Sequence, residues 1–208
     1  MTAHSVTRKR RQAFTLIEMI GVLAVIAILA ALLIPKVFEA INNSRVNNAA
    51  VSYNTVKAAL MDHYAKFGTL LSSNGVPIAA GAGEALNFDK VLVTEAFLDK
   101  PFTVKIGDGV TNHVEVMTAL ATNVAVTGVN AAYDLDGSGT AVNDAAPGSV
   151  VAHAVIYTVT EADAIDLNNR LDGPTLGTAP GTADLRGRVK YATPVNGFTT
   201  VYIYLVHR

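Results

Sequence analysis

The chain of 208 residues contains no cysteine. This absence excludes a disulfide framework, a thiolate nucleophile and any zinc or iron–sulfur site that depends on cysteine. The sequence also lacks a G-x-S-x-G motif, a P-loop and a dinucleotide-type glycine pattern. Its five histidines are scattered, and no pair has the H-x-x-x-H spacing of a helical zinc site. We therefore expect a protein that is not an enzyme and has no catalytic residues.

Charged side chains are few and unevenly distributed along the chain. The net charge is −1, from 16 lysine and arginine residues and 17 aspartate and glutamate residues. Residues 1–68 carry 8 basic and 3 acidic side chains, whereas residues 69–208 carry 8 basic and 14 acidic ones. An acidic C-terminal part argues against bulk electrostatic binding of nucleic acid, so we predict no nucleic-acid partner.

The dominant feature is a nearly continuous apolar run over residues 14–35. A membrane-spanning helix needs ~20 apolar residues, so this run is long enough to cross a bilayer. The cations at residues 8–11 stand just before it and predict a cytoplasmic N-terminus by the positive-inside rule. The run carries one charge, Glu18, and an unpaired carboxylate at the centre of a bilayer costs roughly 2.5–3.5 kcal/mol. We expect this carboxylate to have a partner.

Three ordinary explanations of the apolar run compete. A cleaved secretory signal has an apolar region of roughly 7–15 residues, which is shorter than this run, and no clear A-x-A site follows it. A twin-arginine signal is a poor match, because the run is too long and too hydrophobic. A plain uncleaved anchor explains every feature except Glu18.

The segment RRQAFTLIE, which ends at Glu18, resembles the signature of type IV pilins and type II secretion pseudopilins. The resemblance implies that residues 1–13 are a leader peptide. It also implies that a prepilin peptidase in the membrane cuts between Ala13 and Phe14 and methylates the new amine, which makes Phe14 an N-methylphenylalanine. The family usually has glycine before the cut, and Ala13 departs from that pattern.

Assembly of the subunits into a filament would supply a partner for Glu18. In a filament of packed N-terminal helices, Glu18 of one subunit can neutralise the Phe14 amine of a neighbour and so set the axial register. A contact with the amine of the same helix remains an alternative. Pro35 lies inside the helical pattern, where it favours a bend. The resemblance marks Pro35 as the place where the helix loosens during assembly.

Beyond the apolar run, the pattern becomes that of an amphipathic helix ending near Gly68. Its predicted apolar stripe consists of Val46, Ala49, Tyr53, Val56, Leu60, Tyr64 and Phe67. We expect residues 14–68 to form one long helix, of which residues 14–35 form the transmembrane or filament-core part. The predicted fold is α+β and pilin-like. In it, the second half of the long N-terminal α-helix packs on an antiparallel β-sheet in a globular head, residues 69–208.

The head is predicted to begin with a connecting loop over residues 69–88. Residues 90–98 form either a short helix or a strand, and a capping box at residues 160–163 opens a second short helix. Strands are predicted at residues 103–106, 113–118, 123–129, 149–158, 187–193 and 198–206. Asn196-Gly197 marks the final hairpin. In the last strand, one face packs on the helix, while the tyrosine face lies either on the surface or under a loop. We interpret His153 as a structural residue within a strand.

The sequence D-L-D-G-S-G matches the first half of a calcium loop, with oxygen ligands at Asp134, Asp136 and Ser138. The position of the bidentate glutamate is occupied by Ala145, and Asn143 and Asp144 are candidates to replace it. Some major pseudopilins of type II secretion hold calcium in a loop of the head. Calcium is therefore a candidate ligand, although no cofactor is required. The alternative is a turn rich in aspartate, glycine and serine.

The sequence favours a structural subunit of a type IV pilus or type II secretion pseudopilus. As a precursor it would be a single-pass protein of the bacterial inner membrane. After cleavage and N-methylation it would polymerise through its N-terminal helix into a periplasmic or extracellular filament. The implied partners are copies of itself, related pilins, prepilin peptidase and the inner-membrane assembly platform.

Two alternatives remain, a monomeric membrane-anchored binding module at the surface or in the periplasm, and an anchored hydrolase. Glu18 favours the subunit, because a simple anchor has no use for it. The head lacks the C-terminal cysteine pair of many type IVa pilins. This difference favours pseudopilin-like or divergent pilins without separating the two classes.

Overall fold

The computed structural model describes residues 14–73, 76–77, 84–85, 87–118, 121, 123–139 and 142–208. The leader predicted at residues 1–13 lies outside this set. The helices are α1 (Leu16–Phe67), α2 (Phe88–Thr94) and α3 (Glu161–Leu171). The strands are β1 (Ser72–Ser73), β2 (Val76–Pro77), β3 (Glu84–Ala85), β4 (His113–Thr118), β5 (Val150–Thr160), β6 (Val189–Tyr191) and β7 (Phe198–His207). The chain divides into two compact units, residues 1–42 and 43–208.

The described part of the first unit consists of the apolar part of α1. Its most apolar 18-residue window has a mean hydropathy of 2.8, and none of that window is buried. Between residues 14 and 41 every side chain is exposed except that of Ala30, which is half-buried. The helix continues through Pro35 without interruption. By length and composition, α1 is able to cross a membrane.

In the second unit, α1 contributes one face to the main hydrophobic core. The buried side chains of α1 are Val46, Ala49, Tyr53, Val56, Ala59, Leu60 and His63. The first five of the seven predicted stripe residues are therefore confirmed as buried. Near its end, Tyr64 and Phe67 are only half-buried, while His63 is fully buried. The spacing alone did not identify this histidine as a core residue.

The head is built on an antiparallel sheet of five strands in the order β3-β4-β5-β7-β6. This arrangement, together with the long apolar helix, confirms the predicted α+β fold. Val201, Ile203 and Leu205 of β7 are completely buried in the same core as the stripe of α1. On the opposite face, the centroid of the Tyr204 ring lies 5.4 Å from that of the Tyr133 ring. The segment that carries Tyr133 therefore packs over this face of β7.

Two predicted strands do not form. At residues 103–106, the side chains alternate between exposed and buried, but the segment lies beside α1 instead of a strand. Arg45 Nε donates to the Lys105 carbonyl at 2.8 Å, and Ser52 Oγ donates to the Thr103 carbonyl at 3.3 Å. The carbonyls are thus satisfied by helix side chains, and no sheet ladder is needed.

Residues 123–129 make one isolated antiparallel bridge, Ala125 with Val142. The Thr127 amide donates to Asn130 Oδ1 at 3.2 Å, so this backbone donor is satisfied by a local side chain. The predicted loop at residues 69–88 is also only partly a loop, because it contains the two-residue strands β1, β2 and β3. For residues 90–98, the structure selects the helical alternative, α2.

In the C-terminal half, two local predictions are confirmed and one is corrected. Thr160 caps α3, and its side chain accepts a hydrogen bond from the Asp163 amide at 3.3 Å. Asn196 and Gly197 have φ of 53° and 79°, the left-handed geometry that a two-residue hairpin turn requires. The preceding strand β6 is shorter than predicted, because the amides of Arg188 and Val189 bond to the Asp172 carboxylate.

Candidate functional site

The N-terminus of α1 carries a capping box. Thr15 precedes the helix, and its amide and hydroxyl both donate to Glu18 Oε2 at 2.7 Å. In return, the Glu18 amide donates to Thr15 Oγ1 at 3.3 Å. These reciprocal bonds satisfy backbone donors that a helix start leaves without partners. Glu18 therefore has a structural role within its own chain.

The local partner of Glu18 is Thr15, whereas the sequence analysis considered the Phe14 amine. The pattern T-x-x-E at residues 15–18 is the signal that would have identified this contact. Both bonds from Thr15 use Oε2, and no residue in the described part of the chain bonds to Oε1. Glu18 and Phe14 are exposed, as is Pro35. Ala13, on the other side of the expected cut, lies outside the described residues.

In the head, three carboxylates converge on one loop. One oxygen from each of Asp134, Asp136 and Asp144 lies within 4.8 Å of the others. Burial raises the pKa of Asp134, and the nearby Asp136 carboxylate raises it further. Hydrogen bonds from Ser138 instead lower the pKa of Asp136. Three oxygen donors at this separation form a ligand set of the type that calcium prefers.

The convergence contains Asp134 and Asp136 of the predicted calcium loop, and it includes Asp144, one of the two candidates for the missing ligand. The Ser138 amide donates to Asp134 Oδ1 at 3.1 Å and to Asp136 Oδ1 at 2.8 Å, so this backbone group already bonds to two of the carboxylates. The third carboxylate comes from Asp144, whose Oδ2 accepts from the Asp136 amide at 3.0 Å. The loop closes on itself through these bonds, which also fit the alternative of an aspartate-rich turn.

The outer face of the sheet holds a cluster of one glutamate and two histidines that no sequence pattern predicts. Glu115 on β4 bonds through Oε1 to His113 Nε2 at 2.8 Å and through Oε2 to His153 Nε2 at 2.9 Å. Glu115 and His153 are direct partners in the β4–β5 register. The signal was hidden, because residues 38 positions apart become neighbours only through strand pairing.

Opposite pKa shifts follow from this geometry. Burial opposes ionisation of Glu115, but hydrogen bonds from the two histidines outweigh it and lower its pKa to about 2. The hydrogen bond to Glu115 raises the pKa of His113, whose Nδ1 also faces the Thr111 carbonyl at 2.9 Å. Burial lowers the pKa of His153, which is fully enclosed. Beside the Glu115 carboxylate, the cationic form of His113 is therefore favoured, whereas that of His153 is disfavoured.

Two further buried polar groups hold the fold together. His63 Nδ1 and Glu95 Oε2 lie 2.6 Å apart, and the His63 ring contacts the rings of Phe67, Phe88 and Phe97.

Lys190 is fully buried and donates to the carbonyls of Asn130 and Ala132. Burial lowers the pKa of Lys190 to about 7, while these acceptors and the Tyr133 ring, 4.2 Å from Nζ, favour the charged form. Lys190 therefore fastens the segment that covers the sheet.

Residues 8–34 match the family model described as the prokaryotic N-terminal methylation motif, the signature of type IV pilins and pseudopilins. The match covers the basic residues, the expected cut and most of the apolar run, and it does not extend into the head. None of the curated proteins and none of the solved structures compared with the chain gives a significant match.

The Glu115 cluster predicts a specific acid sensitivity. Glu115 has a lowered pKa, so its contribution to the free energy of unfolding is complete above its ordinary pKa of 4.5 and is lost as the pH falls towards about 2. Urea titrations of the detergent-solubilised full chain between pH 6 and pH 2, in steps of about one unit, measure this loss. The Glu115→Gln variant should be less stable at pH 6 and should lose less stability on acidification.

His113 changes in the opposite sense. Its pKa is raised, so its contribution to the free energy of unfolding is complete below pH 6.5 and is lost as the pH rises through the raised value.

The control for the acid titration of Glu115 is Glu39→Gln on the exposed part of α1. This variant should lose stability with falling pH as steeply as the wild type does. An identical slope in the Glu115→Gln chain would contradict the assignment of the acid sensitivity to this cluster.

Proposed function

We propose that the chain is a structural subunit of a type IV pilus or type II secretion pseudopilus, polymerised through α1. The main observation in support is the methylation motif at residues 8–34, together with a helix that can cross a membrane. Both features fit a type IV pilin-like subunit. The motif marks a family of structural proteins, which supports a role that is not enzymatic.

The exposed apolar surface of α1 supports a function in two successive environments. Contiguous apolar surface of this extent is not stable in water and marks a membrane or protein contact. As a precursor, the helix would lie in the inner membrane with its basic flank in the cytoplasm. After cleavage by prepilin peptidase and transfer to the assembly platform, the same surface would be covered by the helices of neighbouring subunits in a filament.

Glu18 supports assembly over simple anchoring. The capping box uses Oε2, and the exposed carboxylate can still receive the N-methylated Phe14 amine of a neighbour. Once both charges are removed from water, pairing them is strongly preferred over leaving either unpaired. Only one axial offset between adjacent helices brings the two groups together. The pair would therefore define the register of the filament.

The competing function is a monomeric membrane-anchored binding module. It requires the same helix, but it gives the Glu18 charge no role beyond the cap. A glutamine at residue 18 would serve a capping box equally well, because glutamine is accepted at this position. The charge, as distinct from the hydrogen bond, is thus the property that separates the two functions.

We predict that Glu18→Gln abolishes filament formation while leaving membrane insertion intact. The variant retains the side-chain oxygen that caps the helix and removes the charge that would neutralise the neighbouring amine. The measurement is the yield of sheared filaments from cells that carry the assembly machinery, with the membrane fraction probed for the subunit in parallel. The mature form of the variant should accumulate in the membrane.

Two matched variants control this experiment. Glu39→Gln makes the same chemical change at an exposed glutamate of α1, and Thr15→Ala removes the capping hydroxyl without touching the Glu18 charge. Both should still form filaments, provided that immunoblotting confirms normal cleavage. Filaments at the wild-type yield from Glu18→Gln would show that the charge is not needed and would refute the proposed register.

We also propose that the cluster of Asp134, Asp136 and Asp144 holds calcium. The proposal is supported by the calcium-like sequence of this loop and by the convergence of the three carboxylates. A bound cation would offset their mutual repulsion, which contributes to the raised pKa of Asp134.

Calcium should therefore stabilise the head against unfolding. At a concentration of about 100 times the dissociation constant, a ligand that binds only the folded state adds about 2.7 kcal/mol. Thermal melting of the full chain in detergent, with calcium or with a chelator, measures the effect. Asp136→Asn should remove the calcium-dependent shift, and Asp166→Asn on α3 should preserve it. Equal melting temperatures with calcium and chelator would contradict calcium binding.

A further inference from the structure

A groove lies on the head, apart from the aspartate cluster. It encloses about 820 Å³, within the range of small-molecule sites in proteins. Its walls come from the start of α2, from the segment before β4 and from β5. The residues that matter for its chemistry are Lys90, Asp108, Asn112, His113 and Tyr157. No part of the proposed assembly mechanism uses this groove.

A β-bulge shapes one wall of the groove. The pairing of β5 with β7 shifts between Ile156 and Val159, which leaves Tyr157 and Thr158 outside the ladder. Thr158 has a φ of 55°, an uncommon and costly conformation for a β-branched residue. Bulges redirect side chains and occur frequently beside binding sites. Here the bulge places Tyr157 and Thr158 on the groove wall.

The bulge is fixed by its neighbours. The Tyr157 amide donates to Asn112 Oδ1 at 3.2 Å, and the Asp108 amide donates to the Tyr157 carbonyl at 3.1 Å. At Gly107, an added Cβ would lie 2.2 Å from the Tyr157 carbonyl oxygen, so only glycine permits this approach. The wall is therefore preorganised by backbone contacts and does not depend on a ligand to form.

Asn112 leaves one polar group unused at the groove. Its residue is only 7% exposed, and its Nδ2 has no hydrogen-bond partner among the residues that the structure describes. Leaving a buried donor without a partner is unfavourable, so the position favours an incoming acceptor. Because the Tyr157 amide donates to Oδ1, the amide orientation is fixed, and the buried Nδ2 is the end that lacks a partner.

An aromatic surface lies beside this donor. The rings of Tyr157 and His113 are nearly parallel, at 29°, with centroids 5.7 Å apart. His113 is held from both sides, by the Thr111 carbonyl and by Glu115, so the Tyr157 ring rests on a fixed support. Tyr157 is half-buried, which leaves part of its ring available to a ligand.

The carboxylates of the groove are already occupied. Asp89 accepts from the amides of Phe102 and Val114 at 3.0 and 3.2 Å. Asp108 accepts from the Thr111 hydroxyl and from the amides of Val110 and Thr111. The groove thus offers an aromatic surface, the unpartnered amide of Asn112 and the exposed Lys90 and Thr158, while Asp108 is an exposed carboxylate that is bonded locally.

We propose that this groove binds a saccharide, with a sugar ring on Tyr157 and a sugar oxygen accepting from Asn112 Nδ2. A sugar ring combines an apolar C–H face, which suits an aromatic ring, with oxygens around its rim, which suit a fixed amide donor. Sugar binding goes beyond the structural role of the subunit and does not depend on it. The head would present a carbohydrate-binding surface whether the chain is monomeric or assembled.

Ligand-observed NMR on the full chain tests the proposal and detects weak binding. The chain is solubilised in a detergent without a sugar headgroup, and the probes are oligosaccharides of glucose, N-acetylglucosamine and galacturonic acid. Saturation transfer to at least one of them is expected. The neutral and acidic probes distinguish recognition of ring oxygens by Asn112 from recognition of a carboxylate by Lys90.

Asn112→Asp is the most specific variant, because it retains the oxygen that accepts from the Tyr157 amide and removes the Nδ2 donor. We expect it, and Tyr157→Ala, to raise the dissociation constant about tenfold or more. Asn196→Asp makes the same change in the exposed hairpin turn and should leave binding unchanged. Circular dichroism of each variant verifies its fold.

Two results would overturn the proposal. One is a lack of saturation transfer from the folded wild-type chain to any of the three probes at millimolar concentration. The other is binding that neither Asn112→Asp nor Tyr157→Ala weakens. Filament yield from the groove variants provides the independent readout. It should equal the wild-type yield, so a failure of sugar binding and a failure of assembly are distinguishable.

Discussion

The carboxylate of Glu18 is the constraint on which the N-terminal half of the molecule depends. It lies at the start of a helix whose following side chains are apolar, and it bonds to the amide and hydroxyl of Thr15. In a low-dielectric environment, unpaired donors at a helix start are costly, so this cap stabilises the first turn where water is absent. The two roles considered for Glu18, one within its own helix and one between helices, therefore do not exclude each other. Oε2 serves the cap, and the exposed carboxylate serves the proposed contact between subunits.

The long irregular segments of the head are held in place without any disulfide. Buried side chains hold these segments by hydrogen bonds to their backbone groups. Asp89 bonds to the amides of Phe102 and Val114, and Asp172 bonds to those of Arg188 and Val189. Lys190 fastens the covering segment through the carbonyls of Asn130 and Ala132. Each such group must itself be satisfied, which makes these positions sensitive to substitution.

The fold was predictable where a local pattern decides the structure. The apolar run and the stripe from Val46 predicted α1, the capping box at Thr160 predicted α3, and Asn196-Gly197 predicted the final turn. Prediction failed where the structure depends on which groups form hydrogen bonds with the backbone. Residues 103–106 alternate as a strand would, but side chains of α1 satisfy their carbonyls.

The candidate sites show the same limit. The contact between Thr15 and Glu18 follows the local capping-box rule, so the pattern T-x-x-E is sufficient to predict it. The contact between Glu115 and His153 depends on strand register, and the groove depends on a bulge at Tyr157 that no sequence motif marks. The sequence named both Asn143 and Asp144 as candidates beside Asp134 and Asp136, and the folded loop brings Asp144 to them. Sites assembled by pairing and by loop closure become visible only in three dimensions.

Mass spectrometry of the mature N-terminus tests the central claim most directly. The chain is purified from the membranes of cells that contain prepilin peptidase, and its N-terminal peptide is sequenced. The account predicts a chain that begins at Phe14 with one added methyl group on the amine. A chain that retains Met1, or one cut near Ala31 as a secretory signal would be, would contradict the proposal that this helix is processed for assembly.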